Sequence, residues 1–277
     1  MRPVKELEVG IFFWAEVDPR QTLQSVKRAG VSIGQLGADA SAVLDAGKWN
    51  AALAAEEFQL ITVFAAYEGE SYADIPTVQR TVGFVPEATR AAREARTRGV
   101  IDFAAALGVK SFGCHIGFVP EDAASPQYSA VRDVVRRIAD YAAPHGITFC
   151  LETGQEPAML LLRFFDDVGR ANLRINFDPA NMVLYGSGEP GEAFRLLAGH
   201  VATVHAKDGD WPDPARPGAL GVERKLGEGA VDIPKFIGTL KACGYQGTLH
   251  IESGLHGEEQ RWAYLAWAAQ YLRGVIG

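Results

Sequence analysis

Cysteine is scarce in this 277-residue chain: only Cys114, Cys150 and Cys243 occur. They are an odd number at unrelated positions, and the first two lie inside apolar runs, where buried free thiols are common. Both a disulfide framework and a cysteine–metal site are disfavoured, and a reducing cytoplasm is the expected compartment. Long hydrophobic runs are missing too. No apolar stretch is long enough to cross a bilayer, and MRPVKELEVG at the start lacks the apolar core of a signal peptide. Basic charge is outweighed, with 27 Lys and Arg against 34 Asp and Glu, a formal −7. Such a chain gives no electrostatic reason to expect nucleic acid or an anionic membrane surface as partner.

What the chain does have is regular alternation. Short apolar runs recur at Glu8–Phe13, Ser32–Leu36, Leu60–Phe64, Lys110–His115, Ile147–Glu152, Leu173–Asp178, Val201–His205 and Thr248–Glu252. Helical patterns separate them, around Pro19–Ala29, Trp49–Phe58, Arg90–Leu107, Tyr128–Tyr141, Met159–Val168, Glu192–Leu197, Pro234–Ala242 and Glu258–Leu272. Each strand is too far from the next for a hairpin, so parallel strands with helical crossovers follow. A doubly wound open sheet usually carries a Gly-rich phosphate turn after its first strand. Here the first strand runs into Phe12-Phe13-Trp14-Ala15-Glu16 with no such turn. The expected fold is α/β, a single (β/α)8 barrel domain over residues 1–277. Two segments exceed the usual βα loop, 65–89 and 208–232, and both follow strands. They are expected over the carboxyl face, where barrel enzymes keep their active sites.

The last four strands share one feature. Each ends on a potential ligand: Glu152, Asp178, His205 and Glu252, at spacings of 26, 27 and 47 residues. A strand-plus-helix unit of this barrel takes about 30 residues, and the longest gap holds a Gly/Pro-rich insertion. Singly, each residue has a plainer reading: a surface carboxylate, an Asx turn at Asp178-Pro179, or a core histidine. Together they converge. Three carboxylates meeting without a cation would repel until partly protonated. A divalent ion removes that problem, and its two remaining positions suit vicinal oxygens of a ketose. Oxygen-rich ligation with one nitrogen favours Mn²⁺, Mg²⁺ or Co²⁺ over a structural zinc.

The segments Leu151-Glu152-Thr153-Gly154, Asn176-Phe177-Asp178-Pro179-Ala180-Asn181, Val204-His205-Ala206-Lys207-Asp208, Leu226-Gly227-Glu228-Gly229 and Ile251-Glu252-Ser253 resemble the xylose-isomerase-like barrels. The resemblance covers essentially the whole chain. It is closest to the sugar (phosphate) isomerase/epimerase branch, with its ketose 3-epimerases, hydroxypyruvate isomerases and inosose dehydratases. It implies one divalent metal, Mn²⁺ first with Mg²⁺, Co²⁺ or Zn²⁺ as alternatives, on Glu152, Asp178, His205 and Glu252. It also implies that Glu152 and Glu252 act as acid and base on opposite faces of an enediolate. The chain departs from the ketose epimerases at Asn181, where they tend to carry a histidine that contacts a substrate oxygen. An Arg that the family tends to place shortly after its histidine ligand is also absent, and Lys207 and Asp208 stand closest.

Lys207, two residues past His205, shares its inward side of the strand. It is expected either on substrate or in a salt bridge with Asp208. His115, ending the fourth strand, is expected to hydrogen-bond substrate, as is Asn181. Trp14 and Glu16 end the first strand, where an aromatic stacks on a sugar or on the core. His145 and His200 precede strands, at the opposite barrel end. His250 is expected to face the helices, and His256 lies in the last βα loop. The substrate is a small carbohydrate, and a homo-oligomer, dimer or tetramer, is expected. Three other readings stand beside a metal-dependent isomerase/epimerase. One is a lyase or dehydratase on a keto-inositol or 3-keto-glycoside. The second is a non-catalytic sugar-binding barrel. The third, an endonuclease-IV-like nuclease with a trinuclear zinc site, is opposed by six histidines and net acidity.

Overall fold

The structure, a computed structural model, describes residues 7–255 and 257–277. Eight parallel strands close into a barrel in chain order: β1 (Glu8–Trp14), β2 (Ile33–Ala38), β3 (Gln59–Ala65), β4 (Ser111–Cys114), β5 (Thr148–Glu152), β6 (Leu173–Phe177), β7 (Val201–Ala206) and β10 (Thr248–Ile251). β10 pairs with β1, so the sheet has no edge. The eight-stranded closed barrel with its surrounding helices is the (β/α)8 fold. Around it run α1 (Pro19–Arg28), α2 (Ala46–Ala55), α4 (Glu87–Ala106), α5 (Pro126–Ala142), α6 (Ala158–Val168), α8 (Pro190–Leu197), α9 (Ile233–Ala242) and α10 (Glu258–Ile276). The strands read as apolar runs because both faces are covered, by helices outside and by lumen side chains within. Among the described residues, no helix is long and apolar enough to cross a membrane.

The lumen is filled by rings set against glycines. A Cβ on Gly113 of β4 would sit 2.6 Å from the Phe64 ring, and one on Gly37 of β2 would sit 2.5 Å from Trp14. Gly10 of β1 stands in the same relation to His250, at 2.5 Å from its imidazole. That last pairing corrects an expectation. His250 is two residues from Glu252 and lies opposite His205 in the β10–β7 register, so period two turns it into the lumen, fully buried, not toward the helices.

Two further helices and a hairpin decorate the carboxyl end, and none of the three is foreseen by apolar periodicity. Helix α3 (Ile75–Thr81) interrupts the first long loop, with Asp74 capping Thr77 N. Helix α7 (Pro179–Tyr185) follows β6 directly. β8 (Asp208–Asp210) and β9 (Val222–Arg224) form an antiparallel hairpin in the second long loop. Asp208 secures its base, accepting from the backbone N–H groups of Gly209, Gly227, Gly229 and Val231. The hairpin tip reaches the first long loop, where Ile75 N donates to Gly218 O at 2.9 Å.

Candidate metal centre

Local sequence delivers each of the four donors to one point. Glu152 is the last residue of β5 and Glu252 follows the last residue of β10. His205 lies in β7 with its ring between Phe12 and Phe64, centroids 5.7 and 5.6 Å away. Asp178 divides its carboxylate between two tasks. Its Oδ1 caps α7, accepting from Ala180 N at 2.8 Å and Asn181 N at 3.0 Å, with Pro179 at the first helical position. Its Oδ2 is left over, buried and without a hydrogen-bond partner, as is His205 Nδ1. Those two atoms are 3.6 Å apart, and Nδ1 lies 3.0 Å from Glu152 Oε1 and 3.3 Å from Glu252 Oε2.

The four donors lie within 4.8 Å of one another. An octahedral ion with bonds of about 2.1 Å places neighbouring donors about 3 Å apart. Orphaned buried polar atoms are rare; here two of them point at a common centre of carboxylate and imidazole donors. The residues therefore fit a divalent cation, and the group could hold one.

Charge is balanced from the side by Lys207. Its Nζ lies 3.0 Å from Glu252 Oε2 and 3.9 Å from Asp178 Oδ2, and donates to Asn181 Oδ1 at 3.4 Å. Burial disfavours the ammonium, but Glu252 and Asp178 outweigh it and keep Lys207 firmly charged. Burial likewise opposes ionisation of Glu252, yet Lys207 and His205 hold its carboxyl well below the usual range. The salt bridge between Lys207 and Asp208 is not formed, because Asp208 is occupied by the hairpin amides.

A cavity of ≈ 570 Å³ opens above the donors. His115, Asn181, Lys207, Glu152, Glu252 and Trp14 all line it. His115 Nε2 is 3.2 Å from Glu152 Oε2, and its Nδ1 is 3.3 Å from Gln155 Nε2. Asn181 donates weakly to Glu152 Oε1 at 3.4 Å and to Thr153 O at 3.3 Å. Glu16 is exposed and does not line the cavity; His145 and His200 sit in turns before β5 and β7. His256 lies outside the described residues. Sequence reasoning missed Tyr72 and Glu70 of the first long loop, Tyr185 of α7 and Glu223 of the hairpin, which also line the cavity. Glu70 accepts from Tyr67 N and Gly83 N, and burial pushes its carboxyl up. The Asp178-Pro179 step was the available signal for α7 and hence for Tyr185.

A (β/α)8 barrel with a carboxylate–imidazole cluster at its carboxyl end defines a class, and comparison with known proteins names it. The xylose isomerase-like TIM barrel family matches residues 23–273, and the chain belongs to that family. No curated protein matches the chain in sequence. Among solved structures, a xylose isomerase domain protein from Planctomyces limnophilus is 40% identical, with TM-score 0.92 over 98% of this chain and 97% of that one. The 3-keto-D-glucoside 4-epimerase YcjR from E. coli is 16% identical, with TM-score 0.72 over 97% and 100%. D-psicose 3-epimerase from Clostridium cellulolyticum H10, solved with D-tagatose, is 16% identical, with TM-score 0.72 over 98% and 99%. The last two likenesses are of fold alone.

Proposed function

We propose that the protein is a divalent-metal-dependent isomerase or epimerase of a keto sugar or sugar derivative, working through an enediolate. The observation that carries this reading is the convergence of Glu152, Asp178, His205 and Glu252 around orphaned donor atoms at the floor of a sugar-sized cavity. Family membership supports it, and so does the fold shared with two sugar epimerases. A cation bound there, Mn²⁺ first with Mg²⁺, Co²⁺ or Zn²⁺ as alternatives, supplies Lewis-acid polarisation of the carbonyl and stabilises developing enediolate charge.

The chain's own residues divide the remaining work. Glu152 and Glu252 arrive from β5 and β10, separated around the rim by β6 and β7, so they address a substrate from two sides. One removes the proton next to the carbonyl and the other returns it. His115 lies 3.2 Å from Glu152 Oε2 and positions that carboxylate, while offering the substrate a polar contact of its own. Lys207 keeps Glu252 ionised and donates to a substrate oxygen. Asn181 supplies an uncharged amide where the ketose epimerases tend to carry histidine. Trp14, Phe12, Phe64 and Tyr72 wall the cavity and limit water around the enediolate.

The test is incubation with ketoses, keto-inositols and 3-keto-glycosides in deuterium oxide containing Mn²⁺. Deuterium next to the carbonyl, lost on adding chelator, is the expected result, and its position identifies the substrate. An enone absorbing in the ultraviolet would instead assign a lyase. Exchange in none of the three classes would overturn both assignments.

A further inference from the structure

Below the four donors, the lumen holds polar side chains that packing alone does not require. Gln35 of β2 is fully buried there. Its Oε1 lies 2.8 Å from His205 Nε2, and its Nε2 donates to Asn176 Oδ1 of β6 at 3.2 Å. Thr203 of β7 donates its hydroxyl to the same Asn176 oxygen at 2.5 Å. Asn176 Oδ1 thus receives two hydrogen bonds, and this directs the Gln35 amide nitrogen toward Asn176. The amide oxygen that remains can only accept. An imidazole with a single proton therefore holds it on Nε2 here, and in that state Nδ1 offers its lone pair to a cation shared with Glu152, Asp178 and Glu252. His250, also in the lumen, is partnered elsewhere, with Thr248 Oγ1 3.4 Å from its Nδ1.

We infer that Gln35 is a positioning residue: through the chain Thr203–Asn176–Gln35 it sets the Nε2–H tautomer of His205 and presents Nδ1 as the metal-binding atom. The inference rests on the reading of the cluster as a metal centre. The physical logic is that a neutral imidazole binds through one nitrogen only when the other holds the proton. With a cation on Nδ1, a fixed acceptor at Nε2 holds the proton on that nitrogen. A leucine at position 35 would fill similar space and supply no acceptor. The partner is remote in sequence, 170 residues from His205.

The experiment is titration of the purified protein with Mn²⁺, reading free Mn²⁺ by electron paramagnetic resonance, for the wild type, Q35L, Q35E and H205A. The thermal midpoint of each metal-free protein is recorded alongside. Q35L should bind Mn²⁺ about 10- to 100-fold more weakly, the usual effect of removing such a partner. Q35E should recover most of the affinity, because its carboxylate accepts the same Nε2–H. Wild-type affinity in Q35L, with H205A impaired, would overturn the role of Gln35 and leave the metal centre standing. Undiminished affinity in H205A would overturn the metal centre itself. A second measurement needs no variant: ¹⁵N resonances of His205 in the Mg²⁺-loaded wild type should show a proton on Nε2 and a metal-induced shift at Nδ1. Coordination through Nε2 would overturn the inference whatever the variants do.

Discussion

The two halves of the barrel rim are built from opposite materials. β5, β6, β7 and β10 deliver Glu152, Asp178, His205 and Glu252, while β1 and β3 deliver Trp14, Phe12 and Phe64, packed edge to face at 5.1 and 5.6 Å. The halves meet at His115 after β4, with Glu152 on one side and the Tyr72 ring 5.6 Å away on the other. The difference teaches how a fold concentrates charge. The aromatic rings bring no charge to the carboxylates, which are balanced from their own half, by Lys207 and His205. Chemistry lives on one half, and shape on the other.

The largest expected effects lie on the charged half. Glu152→Gln and Glu252→Gln each keep size and lose the exchangeable charge. Each should slow deuterium exchange by about 10²- to 10⁴-fold, the range expected for removing a general acid or base. Wild-type exchange in either variant would remove that residue from the acid–base pair.

A carboxylate just outside the cluster sharpens the point. Glu156 is as buried as Glu152, but among the described residues its carboxylate pairs with backbone amides, Val119 N at 2.8 Å and its own, and with no cation. Burial pushes its carboxyl up to about 7 from 4.5, the opposite direction to Glu252. Because the folded form holds this proton more tightly, stability falls as pH rises from about 4.5 through 7. A shift of that size corresponds to roughly 3 kcal/mol at most. Glu156→Gln should therefore match the wild type near pH 4.5 and exceed it progressively up to pH 8, measured by denaturant unfolding. An equal gain at both pH values would show that ionisation is not the cause.

On the aromatic half, Gly37→Ala drives a methyl into Trp14 and Phe12, at 2.5 and 2.8 Å. Overpacking of this kind costs about 1–3 kcal/mol. Unfolding free energy should drop by that amount, while Mn²⁺ affinity changes less than about threefold, since neither displaced ring carries a donor atom. A collapse of affinity would mean that the rings, too, position the donors.

Much of this division was legible in the chain. Parallel strands buried on both faces leave apolar runs, and side-chain period two carries each ligand inward, so the barrel and the four donors could be read directly. The loops could not be. The helix α7 hides behind Asp178-Pro179, which reads as a turn until it is recognised as a cap with proline at the first helical position. Tyr72, Glu70 and Glu223 reach the cavity through α3 and the β8–β9 hairpin, whose paths depend on contacts such as the four amides on Asp208 and leave no periodic trace. Gln35 sits in an unremarkable strand, and only closure of the barrel brings it to His205. His250 was legible, and counting by two from Glu252 would have placed it in the lumen.

Trp14 gives the smallest expected effect and the sharpest test of the division. It is 39% exposed and lines the cavity, and its ring carries no candidate ligand atom. A flat ring at the mouth holds substrate equally in the ground and transition states, by covering an apolar face of the sugar. Such uniform binding appears in KM and not in kcat. Trp14→Ala should raise KM about tenfold, worth about 1.4 kcal/mol, with kcat unchanged. If kcat falls instead, the ring orients the reacting carbon between Glu152 and Glu252. The aromatic half would then belong to the chemistry as well as to the shape.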